Sequence, residues 1–383
     1  HSGNLKLQET ELVRNQSAFL RARCQRLISE TIKQCKDMHD EHKEKLERRV
    51  KQVQFLKTEL EVRLEEINVE TEELITLQTR VAKALETTAE PLRVTRLCLE
   101  ERMKLGLDLL QDEVDLELLN EREVIGGVAS ALQQLAEEIT EQIRLNRSAK
   151  YILEKDLKEK SEAQHVDTSC SLITPHTIKQ PQLTSTHQQS LAVTPKQWEY
   201  VSDVNMAKAE EQKSNSASLK ALVESLLEQM FADIQKQLQA TAAAFRLKVQ
   251  ELKSAKSQME EQLAKILPEL SSQRMIRDDL NMAIAEVEEG LLKAQAQQTL
   301  RNQRPSKELC HDQAHAHLLS EIRKLSASIT RLRKALVQSE EKERALVRCQ
   351  LELQRSISFK ASCLYTDEVV CGQHREALKA CKF

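Results

Sequence analysis

Glycine and proline are scarce, six of each in 383 residues, and aromatic side chains make up only 3%. An α/β or all-β chain of this length needs Gly and Pro for its turns and aromatic or β-branched residues for its strands, so both classes are excluded. A single large compact core is excluded with them. No run of about 18 apolar residues occurs, so no membrane span is expected. The glycines at 3, 106, 126, 127, 290 and 372 lack the spacing of a phosphate-cradling loop. No nucleophile motif and no spaced acidic dyad rises above the charged background, so no catalytic or cofactor-binding residue is assigned and the chain is read as no enzyme. The sequence begins at His1 rather than Met. A native N-terminus upstream is expected, and the lack of a signal peptide carries little weight.

What is abundant is the set of good helix formers: Leu, Glu, Lys, Gln, Ala and Arg. The 57 basic and 60 acidic residues are interleaved, the pattern of a solvated helix surface rather than of a nucleic-acid face. Nine cysteines are scattered at 24, 35, 98, 170, 310, 349, 363, 371 and 381 with no Cys-x-x-Cys. An odd, dispersed set fits a reduced cytoplasmic protein.

Apolar residues recur at alternating steps of four and three. One register runs Leu46, Val50, Val53, Lys57, Leu60, Leu64, Ile67, Thr71, Leu74, Gln78, Val81, Leu85. A second runs Phe245, Val249, Leu252, Lys256, Met259, Leu263, Ile266, Leu270. A third runs Leu318, Ile322, Leu325, Ile329, Leu332, Leu336 and resumes at Leu346, Leu353 and Ile357. Such spacing draws a narrow apolar seam along one side of a helix. Leu226, Met230, Ile234 and Leu238 are spaced by four throughout, which drifts off the heptad and predicts a local change of packing partner.

Breaks divide the seams. Pro91 is expected to open a helix, since proline suits a first turn and not an interior. Pro175, Pro181 and Pro195 lie in a Ser/Thr/Gln-rich stretch that reads as a linker. Pro305 marks another break, and Pro268, inside a good seam, reads as a kink. The expected segments are a first long helix over 1–90, a second over 91–165, the linker 166–195, a third helix over 196–300, a loop and helix start at 301–312, a fourth helix over 313–359, and a cysteine-bearing tail at 360–383. The fold class is all-α: long helices with coiled-coil seams, folded back into an elongated helical rod that forms filaments. Helices of this length are not stable on propensity alone and need a continuous partner.

Few side chains suggest chemistry. Cys310, His311, His315 and His317 are close in sequence, but zinc normally takes four ligands and no second ligand group is near; polar residues at a helix start are preferred, and no metal is assigned. Cys35, His39 and His42 have a weaker claim. Cys363, Cys371 and Cys381 are read as free thiols packing as small apolar groups, with a disulfide or interchain crosslink as the alternative. Gly126-Gly127 is read as a close helix contact or a soft point. Trp198 is read as a staple closing the linker onto the bundle, in preference to an anchor into another molecule.

Residues 304–312, Arg-Pro-Ser-Lys-Glu-Leu-Cys-His-Asp, resemble the tektin nonapeptide Arg-Pro-Asn-Val-Glu-Leu-Cys-Arg-Asp. The matches are Arg304, Pro305, Glu308, Leu309, Cys310 and Asp312; Ser306, Lys307 and His311 depart. The segment 91–119, PLRVTRLCLEERMKLGLDLLQDEVDLELL, is similar to the tektin stretch that opens the second helix with Pro-Leu and Cys-Leu and continues to Asp-Glu-Val and Glu-Leu-Leu. Residues 145–170 resemble the exit of that helix, PKQWEYVSDVNMAKAE at 195–210 the re-entry with its tryptophan, and CLYTDEVVCGQHREAL at 363–378 the C-terminal patch. Phe55 stands where many tektins carry Trp. The chain resembles a divergent member of the tektin family.

That resemblance implies a structural, filament-forming microtubule inner protein lining the A-tubule lumen of axonemal doublets in cilia and flagella, the sperm flagellum among them. Its implied partners are tubulin and other tektins or microtubule inner proteins, through self-association or a hetero-filament, with no nucleic acid and no membrane. The nonapeptide corner is expected to run from loop into helix start. Glu308 and Asp312 would then share a face, Arg304 would pair with Glu308, and Leu309 would pin the loop. It is either a capped helix start or a contact with the next subunit or tubulin. Two rivals are an intermediate-filament-like rod, which would form parallel dimers instead of folding back, and a coiled-coil adaptor, which would carry longer disordered tails.

Overall fold

The computed structural model describes residues 2–106, 112–174 and 193–380. Everything regular among them is helical. The long elements are α1 (Ser2–Met103), α2 (Glu113–Ser171), α3 (Pro195–Arg301) and α4 (Gln313–Leu364). A π-helical turn, Tyr365–Val370, leads into α5 (Cys371–Ala380). The chain divides into two compact units, His1–Leu85 with Ser130–Gln229, and Glu86–Ala129 with Met230–Phe383.

In the first unit α1, α2 and α3 form a three-helix bundle. Gln54 pairs with Gln164 and Gln78 with Thr140, so α1 and α2 are antiparallel. Arg63 binds Glu210 and Arg80 binds Glu224, so α3 runs parallel to α1. The seam is a strict repeat of seven. On α1, Val53, Leu60, Ile67, Leu74 and Val81 are at most 1% exposed. On α2 the same step links Leu132, Ile139, Asn146 and Leu153, all fully buried. Opposite them α3 offers small residues, Ser202, Ala209 and Ser216, before Val223. Small side chains on one helix let large ones on two others interdigitate. Fully buried Asn146 is satisfied locally, donating to Ser216 Oγ at 2.9 Å and accepting from Gln142 at 2.9 Å.

Trp198 sits where this bundle receives α3. Thr194 and Gln197 cap each other reciprocally, with Pro195 between them at the first helical position. The indole lies under the Arg49 guanidinium at 3.7 Å and beside the Lys160 ammonium at 4.6 Å. It thus joins all three helices of the unit, as the staple reading expected. Residues 175–192, including Pro175 and Pro181, lie outside the described residues, as does Cys381.

Three expectations need correction. α1 does not stop at residue 90; it runs through Pro91 to Met103. The heptad continues past Leu85 as Thr88, Thr95 and Arg102, all buried, and its polar members hid the continuation. Pro91 is itself buried: its ring adds apolar area to the seam while withdrawing one N–H from the ladder. The turn comes instead after Met103, where Gly106 adopts φ +119°, a conformation that glycine reaches at little cost. Second, of the segment 360–383 the described residues 360–380 are not a tail apart from the bundle, because helix continues through the π turn to Ala380. Third, Gly126 and Gly127 lie inside α2 with open space around them, so no close helix contact requires them. α3 does not end at Pro268, as expected of a proline read as lying inside the helix. The four-residue spacing over 226–238 spans the point, Gln229 to Met230, where α3 passes from one unit to the next.

The seam makes a direct prediction. Ile67→Ala removes a buried side chain from the first unit and is expected to cost about 2–5 kcal/mol in urea denaturation. Exposed Glu65→Gln should stay within about 0.5 kcal/mol. Equal effects would mean that the register is wrong.

Candidate functional site

The nonapeptide corner joins α3 to α4 within the second unit. α3 unwinds after Arg301 through three bonds: Asn302 N–H to Gln298, Gln303 N–H to Leu300 and Arg304 N–H to Arg301. Pro305 accepts from the Glu308 amide at 2.7 Å, making a tight turn, and α4 begins only at Gln313. Asp312 is its N-cap, accepting the His315 amide at 2.8 Å. The Arg301 guanidinium reaches both Asp312 carboxylate oxygens at 2.6 Å, and Arg304 approaches one of them at 3.5 Å.

The residue set was expected; its geometry was not. Glu308 lies in a turn, not on a helix face with Asp312, and Arg304 turns to Asp312 rather than to Glu308. Leu309 is 55% exposed and pins nothing. Cys310 is exposed as well. A helix start at Pro305 would have left its own first amides uncapped, whereas Asp312 supplies both a side-chain acceptor and a negative charge at the dipole's positive end. His311 precedes α4 and meets His315 edge-on, ring centroids 4.9 Å apart. Among the described residues no group of three metal-ligand side chains gathers, and no helix is long and apolar enough to cross a membrane.

A second cluster in the same unit escaped the reading of the sequence. Arg102, 6% exposed, donates to Asp115 and Asp112 at 2.7 Å each and to Asp367 of the π turn. The π turn holds one more residue per turn than an α-helix and so re-aims the face that follows. Nearby, fully buried Glu121 takes both arms of Arg375 at 2.9 Å and the Thr95 hydroxyl at 2.6 Å. Phe245 lies between the two guanidinium groups, 5.9 Å from Arg102 and 5.5 Å from Arg375. α1, α2, α3, the π turn and α5 are thereby tied at one level. Burial pushes the Asp115 and Asp367 carboxyls up, against the pull of Arg102. Burial also opposes ionisation of Asp112, yet the Arg102 charge and the Asp115 amide hold it below the ordinary range. Arg102 itself resists the desolvation that would lower it and is pushed up by its carboxylates. The signal in the sequence was the placement of Thr95 and Arg102 on the α1 heptad: polar residues on a seam must find partners.

The chain's order of elements, its nonapeptide corner and this charge cluster can be set beside known proteins. The profile described as the Tektin family matches residues 1–379. This chain belongs to the tektin family. It is 30% identical over 364 residues to Tektin-4 of Xenopus laevis, covering 94% of this chain and 82% of that protein. To Tektin-4 of Homo sapiens it is 32% identical over 323 residues, covering 83% and 74%. Tektins are structural proteins, and this one is a tektin-like filament protein. Its corner joins α3 to α4, and its buried cluster ties helices together within the second unit.

Two measurements probe these features. The His315 amide, Arg301 and Arg304 hold the Asp312 carboxyl below its ordinary range. Its contribution is therefore complete above the unfolded pKa of about 3.9 and is lost as pH falls through the lower folded value. Amide-exchange protection at His315 should collapse on that acid limb, and Asp312→Asn should show no such limb. Identical profiles would remove Asp312 as the charged cap. For the buried cluster, Arg102→Met leaves three carboxylates around an apolar side chain. Thermal and urea unfolding of the second unit should register a loss of about 3–5 kcal/mol; a neutral result would mean that the carboxylates find other partners.

Proposed function

We propose that this tektin is a microtubule inner protein that polymerises end to end in the lumen of the A-tubule of axonemal doublets, stiffening cilia and flagella. The observation that carries this reading is a helix without neighbours among the described residues. Residues 3–45 of α1 are exposed throughout, and Leu5, Leu12, Phe19, Leu20, Leu27 and Ile32 are each more than half exposed. About 65 Å of helix at 1.5 Å per residue is not stable by itself and calls for a partner along its length.

The occupant that fits is a second copy of this chain. In the second unit α3 and α4 run antiparallel beyond Lys256, tied by Gln273 to Ser339, Arg277 to Glu343 and Arg333 to Glu288. Their seam is mostly half-covered, and Met275, Ile276, Met282, Leu292 and Val337 remain exposed. From residue 256 to Arg301 this pair is also about 65–70 Å long. The free helix of one molecule would complete a three-helix bundle on the pair of the next. The nonapeptide corner lies at the end of that pair, with Leu309 and Lys307 turned outward, and would meet the neighbouring subunit or tubulin there.

The parallel-dimer rod is disfavoured by the antiparallel folding-back inside each unit. Deleting residues 1–45 should leave the remaining helices folded and convert filaments to single molecules in electron micrographs. Leu309→Asp should leave the thermal midpoint unchanged while reducing incorporation into doublets. Immuno-electron microscopy on axoneme cross-sections decides location: label inside the A-tubule supports the proposal, and label on cytoplasmic filaments or outside the doublet refutes it. Filaments that require a second tektin would make the occupant a relative rather than a copy.

A further inference from the structure

Two cysteines in the second unit face each other across elements far apart in sequence. Cys98 on α1 and Cys371 at the start of α5 are both 0% exposed and belong to one apolar cluster with Val94, Leu99, Leu118 and Phe245. Cys371 Sγ lies 3.9 Å from the Cys98 carbonyl oxygen, and each thiol bears on the ionisation of the other. Among the described cysteines, 24, 35, 170, 310 and 349 are exposed, and buried Cys363 faces Asp367 and Arg102 instead of a thiol. Both are free thiols packed among apolar side chains, as expected of Cys371, and they also lie next to each other.

We infer that Cys98 and Cys371 form a redox modification site, which a hydroperoxide closes into an intramolecular disulfide that ties α5 to α1. The surroundings assign the roles. The neighbouring Cys371 thiol and the Arg375 charge hold the Cys98 thiol down, against burial; Cys371 is pushed up by the Cys98 thiol beside it and by burial. Cys98 is the better thiolate, and thiolate is the nucleophilic form. α5 is a ten-residue helix near the C-terminal end of the described chain, and opening of such an element is the least costly way to admit a small oxidant.

The chemistry balances. The Cys98 thiolate attacks one oxygen of hydrogen peroxide; the O–O bond breaks, hydroxide leaves and takes up the proton that Cys98 gave up, and Cys98 becomes a sulfenic acid. Cys371 sulfur then attacks the Cys98 sulfur, the S–O bond breaks, and the departing hydroxide takes the Cys371 proton to leave as water. Two thiols are oxidised and one peroxide is reduced to two waters, with no other reactant. The bridge would span 98 to 371 and pin α5, whose Arg375 satisfies buried Glu121, so opening of α5 would no longer expose that carboxylate.

The test uses the full chain. Exposed thiols are first blocked with N-ethylmaleimide under native conditions, and hydrogen peroxide is then added. Non-reducing peptide mapping should find Cys98 joined to Cys371 in most molecules, reversed by dithiothreitol. The thermal midpoint should rise by several degrees on oxidation and fall back on reduction, with no such shift in Cys371→Ser. The inference is overturned if Cys98 and Cys371 both remain alkylatable after unfolding of the treated protein. It is equally overturned if Cys98 ends as a sulfinic acid, or if either cysteine is joined elsewhere. Should Cys371→Ser fail to fold, the map of the unsubstituted chain decides alone.

Discussion

The constraint from which the rest follows is that each long helix carries apolar residues on only one narrow side. A seam that repeats every seven residues cannot bury itself, and a hundred-residue helix such as α1 has no globular core to lean on. Every stretch must therefore meet another helix along its length. Within the first unit α2 and α3 answer for α1 from Val53 onward. Over residues 3–45, where no neighbour is found among the described residues, the same sequence logic leaves apolar side chains in water.

A uniform apolar seam would stabilise many registers equally, because sliding one helix by a heptad replaces Leu with Leu. Buried polar groups remove that degeneracy. Asn146 meets Ser216, Lys160 meets Asp156, which also accepts from Asn205, and Arg102 meets its carboxylates. A slip by seven residues would set Asn146 against Ala209 or Val223 and take Asp367 away from Arg102, at a cost of several kcal/mol for the charged pair. These groups contribute less to stability than to uniqueness. Replacing a whole buried set by hydrocarbons of equal shape can be neutral, whereas removing one partner is not.

The same property decided what could be read from the sequence. All-α architecture, the seams through Leu60, Ile67 and Leu74, the entry at Pro195 and the tektin resemblance at 304–312 all rest on local patterns, and local patterns were legible. The end of α1 was not. Its seam passes through Thr88, Thr95 and Arg102, and polar residues on a heptad look like the end of a heptad until their partners are known. Those partners, Glu121 and Asp367, are distant in sequence. Pro91 reinforced the misreading, since proline's cost to a helix is local while the tertiary gain that outweighs it is not. The corner failed in a subtler way. Both Pro305 and Asp312 are good helix-start residues, and Asp312 has the advantage because Arg301, at the end of the preceding helix, holds its carboxylate in place.

The corner also shows how one residue can serve folding while leaving its neighbours free for recognition. Asp312 spends both oxygens inward, on Arg301 and the His315 amide, so α4 is capped without help from the rest of the loop. Pro305 stiffens the turn by limiting the unfolded chain as well as the folded one. Lys307, Glu308 and Leu309 are then held outward on a rigid base at no further cost in order, because the backbone beneath them is already fixed. Preorganised side chains lose little entropy when they meet a partner, so even a small contact of this kind can be selective. Arg304, Pro305 and Asp312 thus build the corner, while Glu308 and Leu309, which also match the nonapeptide, stand exposed beside the departing Lys307.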